Sequence, residues 1–137
     1  MRPARFTDFV IDVVKNTPAA DRVQTLADAG DTKRPFGIAI TPAGGGREAR
    51  WQFVGQLPES AKHDTFTDEP VTGPPAPAGP APQADDEPEA WLAAALAHAE
   101  CPEIATLERW STRPGAGAQR GLTVTFHNGA RIFARVL

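Results

Sequence analysis

The sequence predicts an α+β fold of two α-β-β-β halves with antiparallel hairpins, joined by a disordered, acidic, Pro-rich linker. Three observations carry this reading. Residues Gly121 to Leu137 (GLTVTFHNGARIFARVL) alternate apolar and polar positions around an Asn-Gly pair, as a hairpin with one buried face does. Two stretches, one near the start and one after Asp86, carry apolar residues at helical spacing. The segments on either side of the Pro-rich stretch also match in order, offset by 81 to 84 residues.

In chain order, Pro3 to Asn16 reads as the first helix. Phe6, Phe9, Val10, Val13 and Val14 follow the i, i+3, i+4, i+7, i+8 spacing, with Asp8, Asp12 and Lys15 elsewhere. Pro3 suits a first turn, and Thr17 before Pro18 ends the helix. Asp21 to Gly30 reads two ways: Val23, Leu26 and Ala27 have helical spacing ahead of a glycine cap, yet RVQTL also suits a strand. Phe36 to Thr41 alternates as a strand, Pro42 to Gly46 turns, and Ala49 to Leu57 returns with Trp51 and Phe53 on one face. Residues 1–57 form the first half.

Residues 58–87 are different material. They hold seven prolines and seven acidic residues against one lysine, with Phe66 the one aromatic. So few apolar groups predict a linker too poor to offset its ordering entropy. The middle, PVTGPPAPAGPAP, should be extended and semi-stiff.

The second half spans 88–137, its helix prepared from Asp86. Asp86 and Glu89 have capping-box spacing with Pro88 in the first turn, and Trp91, Leu92, Ala95, Leu96 and Ala99 form the apolar face. Pro102 stops it. Glu103 to Thr112 suits strand or helix, and RPGAGAQR leads into the hairpin. A two-residue Asn-Gly loop there would pair Phe126 with Arg131 and put a cation on the apolar face. A three-residue loop, His127-Asn128-Gly129, pairs Phe126 with Ala130, Val124 with Ile132 and Leu122 with Ala134, all apolar on one face. It also puts Gly129 where a type I turn with a G1 bulge needs positive φ.

The proposed internal repeat aligns Phe9, Val10, Val13 and Val14 with Trp91, Leu92, Ala95 and Leu96. It pairs Pro18 with Pro102, and Val23, Thr25 and Leu26 with Ile104, Thr106 and Leu107. Gly37–Thr41 then matches Gly121–Thr125, and Ala49-Arg50-Trp51 matches Ala130-Arg131-Ile132. Units of about 50 residues are marginal alone, so the halves should pack as one pseudo-two-fold domain. The repeat favours strands for 21–28 and 103–112.

Composition narrows the function. The 137 residues carry a net charge of −3, and 41% are hydrophobic, as suits a soluble globular protein. Residues 1–57 hold eight basic against six acidic residues and 88–137 five against four, so an acidic tether joins two mildly basic halves. Eleven arginines against three lysines, with abundant alanine, suggest a high-GC bacterial coding origin. One cysteine, Cys101, allows no intramolecular disulfide and fits a reducing compartment. No signal core and no run near the ~20 apolar residues of a membrane span occur, so the expected location is the cytoplasm, with no membrane partner.

Catalytic and metal chemistry find little support. His98 and Cys101 are three apart on one helix face, but no second ligand pair accompanies them. Neither Ser60 nor Ser111 sits in a nucleophile elbow, and a cysteine at a helix C-terminus has its thiol pKa raised, the wrong direction for a nucleophile. The PAGGG turn lacks the Lys-Ser/Thr of a phosphate loop. The expectation is no enzyme, no cofactor and no metal.

Two surfaces remain. Arg131, Phe133 and Arg135 lie beside Thr123 and Thr125 on the hairpin's second face, with Arg50 in the matching strand of the first half. This interleaving of cation and aromatic is the pattern single-stranded nucleic acids use, with the acidic linker as an internal mimic of phosphate. The linker also matches PxxP at Pro74–Pro77 and Pro77–Pro80, with no basic anchor beside it. The function expected is a small non-catalytic adaptor that engages a protein partner through its sheet face or strand edges. The alternative is a nucleic-acid-binding regulator using Arg131, Phe133 and Arg135.

Overall fold

The computed structural model describes residues 1–59 and 61–137. Helix α1 (Pro3–Lys15) starts on a proline, whose missing N–H costs nothing in a first turn. It ends where Asn16 N–H bonds back to the Val13 carbonyl and Thr17 N–H to that of Val14. Phe6, Val10 and Val14 are fully covered, with Phe9 and Val13 packed at the margin. Strands β1 (Ala20–Thr25), β2 (Gly37–Pro42) and β3 (Ala49–Gln56) follow, then helix α2 (Pro88–His98) and strands β4 (Ile104–Arg109), β5 (Gly121–Phe126) and β6 (Arg131–Val136). Both ambiguous stretches open as strands. Residues after Thr25 then turn, and Trp110–Thr112 close into one 3-10 turn.

The six strands form a single antiparallel sheet in the order β1-β2-β3-β6-β5-β4. The halves therefore share one sheet, joined where Trp51–Gln56 runs against Val136–Arg131. The terminal hairpin has the three-residue loop: Val124 faces Ile132, Leu122 faces Ala134, and Phe126 N–H bonds Ala130 O at 2.9 Å. Gly129 takes φ 90°.

Alternation sends Ile38, Ile40, Trp51, Phe53, Leu122, Val124, Ile132 and Ala134 to the face that both helices cover. Phe6 of α1 sits over the join, 4.8 Å from the Phe53 ring and 6.1 Å from Phe126, edge to face with both. Its full burial contributes roughly 2–3 kcal/mol and ties one strand of each half to the same side chain.

The ladders refine the matching of the halves. Val23 and Ile40 pair as Leu107 and Val124 do, and Ile38 and Trp51 pair as Leu122 and Ala134 do. Val23 thus corresponds to Leu107, not Ile104, and Trp51 to Ala134, not Ile132. Both β1 and β4 carry an irregularity, between Ala20 and Arg22 and between Ile104 and Thr106.

Two expectations are corrected. The first is the capping box. Asp86 Oδ2 accepts from the Gln83 N–H, and the α2 cap, Glu87, makes no side-chain hydrogen bond. Glu89 turns inward and is 1% exposed.

The second is the disordered linker. Asp68 binds Arg5 through both oxygens (3.0 and 2.9 Å) and accepts from the Arg2 N–H at 2.8 Å. Arg5 also holds Glu103 at 2.8 and 3.0 Å, linking α1, the linker and the residue that precedes β4. Gly73 N–H bonds Pro102 O, Ala76 N–H bonds Ile104 O, and the His127 imidazole meets Pro74 O at 2.8 Å. Ala76 and Pro82 are buried. The PxxP stretch is thus held by the protein itself. Both linker ends are already fixed by the folded halves, so docking its middle loses less chain entropy than a free segment would. Polar contacts then suffice where apolar burial is scarce.

Among the described residues no helix is long and apolar enough to cross a membrane.

The Arg5 guanidinium holds the Asp68 carboxyl well below the usual carboxylate range, against the opposing effect of burial. A depressed folded-state pKa stabilises above the unfolded value near ~3.9 and is lost as pH falls toward the folded one. Asp68→Asn should cost about 1–2 kcal/mol at neutral pH, the lower end for a charge-assisted network because Arg5 is partly solvated. The wild type should lose that advantage over the variant as the pH drops below about 4. Urea titrations of both proteins at pH 7 and pH 3 check this.

Candidate functional site: the helix-free sheet face

The register places the sequence-predicted residues on the face opposite the helices. Row by row across the ladder, Thr123, Phe133 and Val54 are neighbours, as are Thr125, Arg131 and Gln56, and Gly121, Arg135 and Gln52. An apolar pair, Phe133 and Val54, therefore occupies the middle of the join, with Arg131 on one side and Arg135 on the other. Val54 is 49% exposed, while both arginines are exposed and Phe133 is half-buried. Neither arginine makes an ion pair among the described residues.

Arg50 and Thr123 share the face but are engaged. Arg50 Nε donates to Glu48 at 2.7 Å and Nη2 to Ala29 O at 3.0 Å. Thr123 is 8% exposed, its hydroxyl accepting from Trp110 Nε1 at 3.0 Å and Arg113 Nη2 at 2.9 Å. Thr125 is half-buried beside Arg131.

A loop from each half rims the face. Leu26 lies against Gly37 and Trp110 against Gly121: a Cβ on Gly37 would stand 2.4 Å from Leu26 Cδ1, and one on Gly121 2.8 Å from the Trp110 ring. Arg113 stacks over Trp110, 5.6 Å from the ring centroid, and pairs with Glu108. Sequence reading missed Trp110, Arg113 and Val54. The signal for Val54 was present, since Trp51 and Phe53 facing inward turn residue 54 outward. None existed for Trp110, whose place depends on a turn after β4.

That turn hangs on Glu89. Its carboxylate accepts from Gly121 N–H (2.9 Å), Ser111 N–H (3.2 Å), Ser111 Oγ and Arg109 Nε (3.0 Å). Burial alone would push its pKa up. The Ser111 hydroxyl, the Gly121 amide and Arg109 outweigh that and hold it below the usual range. One buried carboxylate on α2 thus fixes the start of β5 and the turn that lays Trp110 on the far side of the sheet.

Over the outward strand positions, the residue before β3 and the turn after β4, the face carries Arg22, Arg50, Arg113, Arg131 and Arg135 against Glu48 and Glu108. Five cations against two acids make it basic in a chain whose net charge is −3. The linker's Asp68 pairs instead with Arg5 of α1 and with the N-terminal amine, on the helix side of the sheet. Among the described residues no three His, Cys, Asp or Glu side chains gather as metal ligands. No family model, curated protein or solved structure matches the chain.

Glu89→Ala should destabilise by about 2 kcal/mol, because it strands the buried Gly121 amide and the part-buried Ser111 amide and hydroxyl. Denaturant titration measures this. Trp110 emission should also red-shift before global unfolding, read in a Trp51→Phe, Trp91→Phe background.

Proposed function

We propose that this chain is a non-catalytic binding protein whose helix-free sheet face docks an acidic surface of a protein partner. One observation carries the reading: the solvent-facing pair of half-buried Phe133 and exposed Val54 at the join is flanked by two arginines that no acid neutralises among the described residues. An apolar centre inside a charged margin is the anatomy of a protein interface, where the centre supplies affinity and the charges steer and select.

We also infer that the two halves are a diverged repeat. Supporting it are the shared α-β-β-β order, the strand order mirrored about the β3–β6 join, and the paired strand irregularities. The glycines Gly37 and Gly121, each under a loop residue, add to this. A doubled half presents its outer face twice, which enlarges the flat docking area.

A second reading, single-stranded nucleic acid on the same face, has Arg131-Phe133-Arg135 in its favour, an aromatic between two cations that make no ion pair among the described residues. The readings separate by experiment. Val54→Asp should cut partner retention in a pull-down from the native host at least tenfold. Arg131→Ala with Arg135→Ala should weaken it by a similar factor and flatten its salt dependence. Labelled oligonucleotides should show no saturable anisotropy change at low salt. Saturable binding with a steep salt slope, abolished in the double arginine variant, would replace the protein reading with the nucleic-acid one.

A further inference from the structure

The β3–β6 join sets the two halves about an approximate two-fold axis, and the ladders show which residues exchange across it. The pair Ile38–Trp51 matches Leu122–Ala134, and at the join Trp51–Val136 matches Ala134–Phe53, so Phe53 corresponds to Val136. Ala20–Pro42 matches Ile104–Phe126, each pair beside its strand's irregularity, so Phe126 corresponds to Pro42. On the helices the buried series Thr7, Val10, Val14 recurs as Glu89, Leu92, Leu96, which sets Phe6 against Pro88. These correspondences are geometric and hold whatever the descent of the halves.

Phe6, Phe53 and Phe126 form one buried cluster, with the Phe6 ring edge to face with the other two. None of their counterparts, Pro88, Val136 and Pro42, is aromatic, and none is buried. All three line a cleft of about 550 Å³ between the first turn of α2 and the ends of β2, β3 and β6. Trp51, standing where the other half has Ala134, takes back part of the room and forms a wall beside Ile40. The corner under α1 is thus packed with aromatic rings, and the matching corner under α2 is a cleft of small-molecule size.

The charges at the cleft select no net sign. Glu48 and Asp86 stand in the lining with Arg47, and Glu48 is already held by Arg50. That leaves Asp86 and Arg47, one of each sign, without an ion pair among the described residues. A charged ligand would gain nothing there to offset its desolvation. We propose that this cleft binds a small uncharged aromatic molecule, whose ring takes the place that Phe6 and its neighbours fill in the other half. The ring lies against Pro42, Pro88 and Val136, with Trp51 as its aromatic neighbour. The site is on the opposite side of the sheet from Val54 and Phe133 and does not depend on their role.

Proton–nitrogen correlation spectra of the full chain test this with benzyl alcohol as the probe. It should shift the amide signals of Ala49, Trp91 and Val136 saturably at millimolar concentration and leave those of Val54 and Phe133 in place. Hexanol, of similar size but without a ring, should bind about fivefold more weakly. Benzoate and benzylamine, which carry the same ring with opposite charges, should each be weaker by at least the same factor. Pro88→Phe supplies a ring from the chain itself at an exposed first-turn position, and Val136→Phe does so from β6. At least one of these variants should fold as the wild type does and lose benzyl alcohol binding at least tenfold. Unmoved Ala49, Trp91 and Val136 signals, equal binding of hexanol or of either charged analogue, or undiminished binding in both variants would each overturn the proposal.

Discussion

The pairing of β3 with β6 is the constraint on which the rest of the molecule depends. It turns two three-stranded sheets, each with an exposed central edge, into one six-stranded sheet whose remaining edges are β1 and β4. It sets Phe53 beside Ala134 on the inner face, so that Phe6 caps both halves, and Val54 beside Phe133 on the outer face. A slip of one residue would exchange the two faces and send Arg131 and Arg135 into the core. The core and the helix-free outer face are therefore two products of one register.

Two carboxylates brace that sheet from the helix side. Asp68 ties the linker to the start of α1, and Glu89 ties the start of α2 to β5 and the turn after β4. In both, acceptance from arginine and amides outweighs the desolvation that burial imposes. These contacts let a chain with a proline-rich, acid-rich middle hold a defined path around a modest core.

Much of this was legible in the sequence, and the exceptions share a cause. The hairpin register could be read because one alternative buries a charge. Helix α1 could be read because its large apolar residues keep one face. Helix α2 was harder, since alanines surround it and only Trp91, Leu92 and Leu96 mark its inner side. Linker order was invisible to composition, because it comes from partners distant in the chain, Arg5 for Asp68 and Ile104 for Ala76. The role of Glu89 was misread for a similar reason. Local spacing fitted a cap, but the groups needing an acceptor were the amides of Ser111 and Gly121, brought close by the fold. Of the site residues, the alternation of Arg131, Phe133 and Arg135 came from strand period alone, while the engagement of Thr123 and Arg50 depended on loops.

The position of β6 also has a consequence for synthesis. It is made after every other strand of the sheet, yet it belongs at the centre, and Arg131 follows its partner Gln56 by 75 residues. At ~5–20 residues per second the inner edge of β3 stays unpaired for several seconds on the ribosome. Meanwhile β1 to β3 carry Trp51 and Phe53 with half of their cover missing. An open, apolar-backed strand is a template for another chain. The nascent first half is thus the aggregation-prone stage of this protein's life, and the acid-rich stretch translated immediately after it keeps neighbouring nascent copies apart by charge.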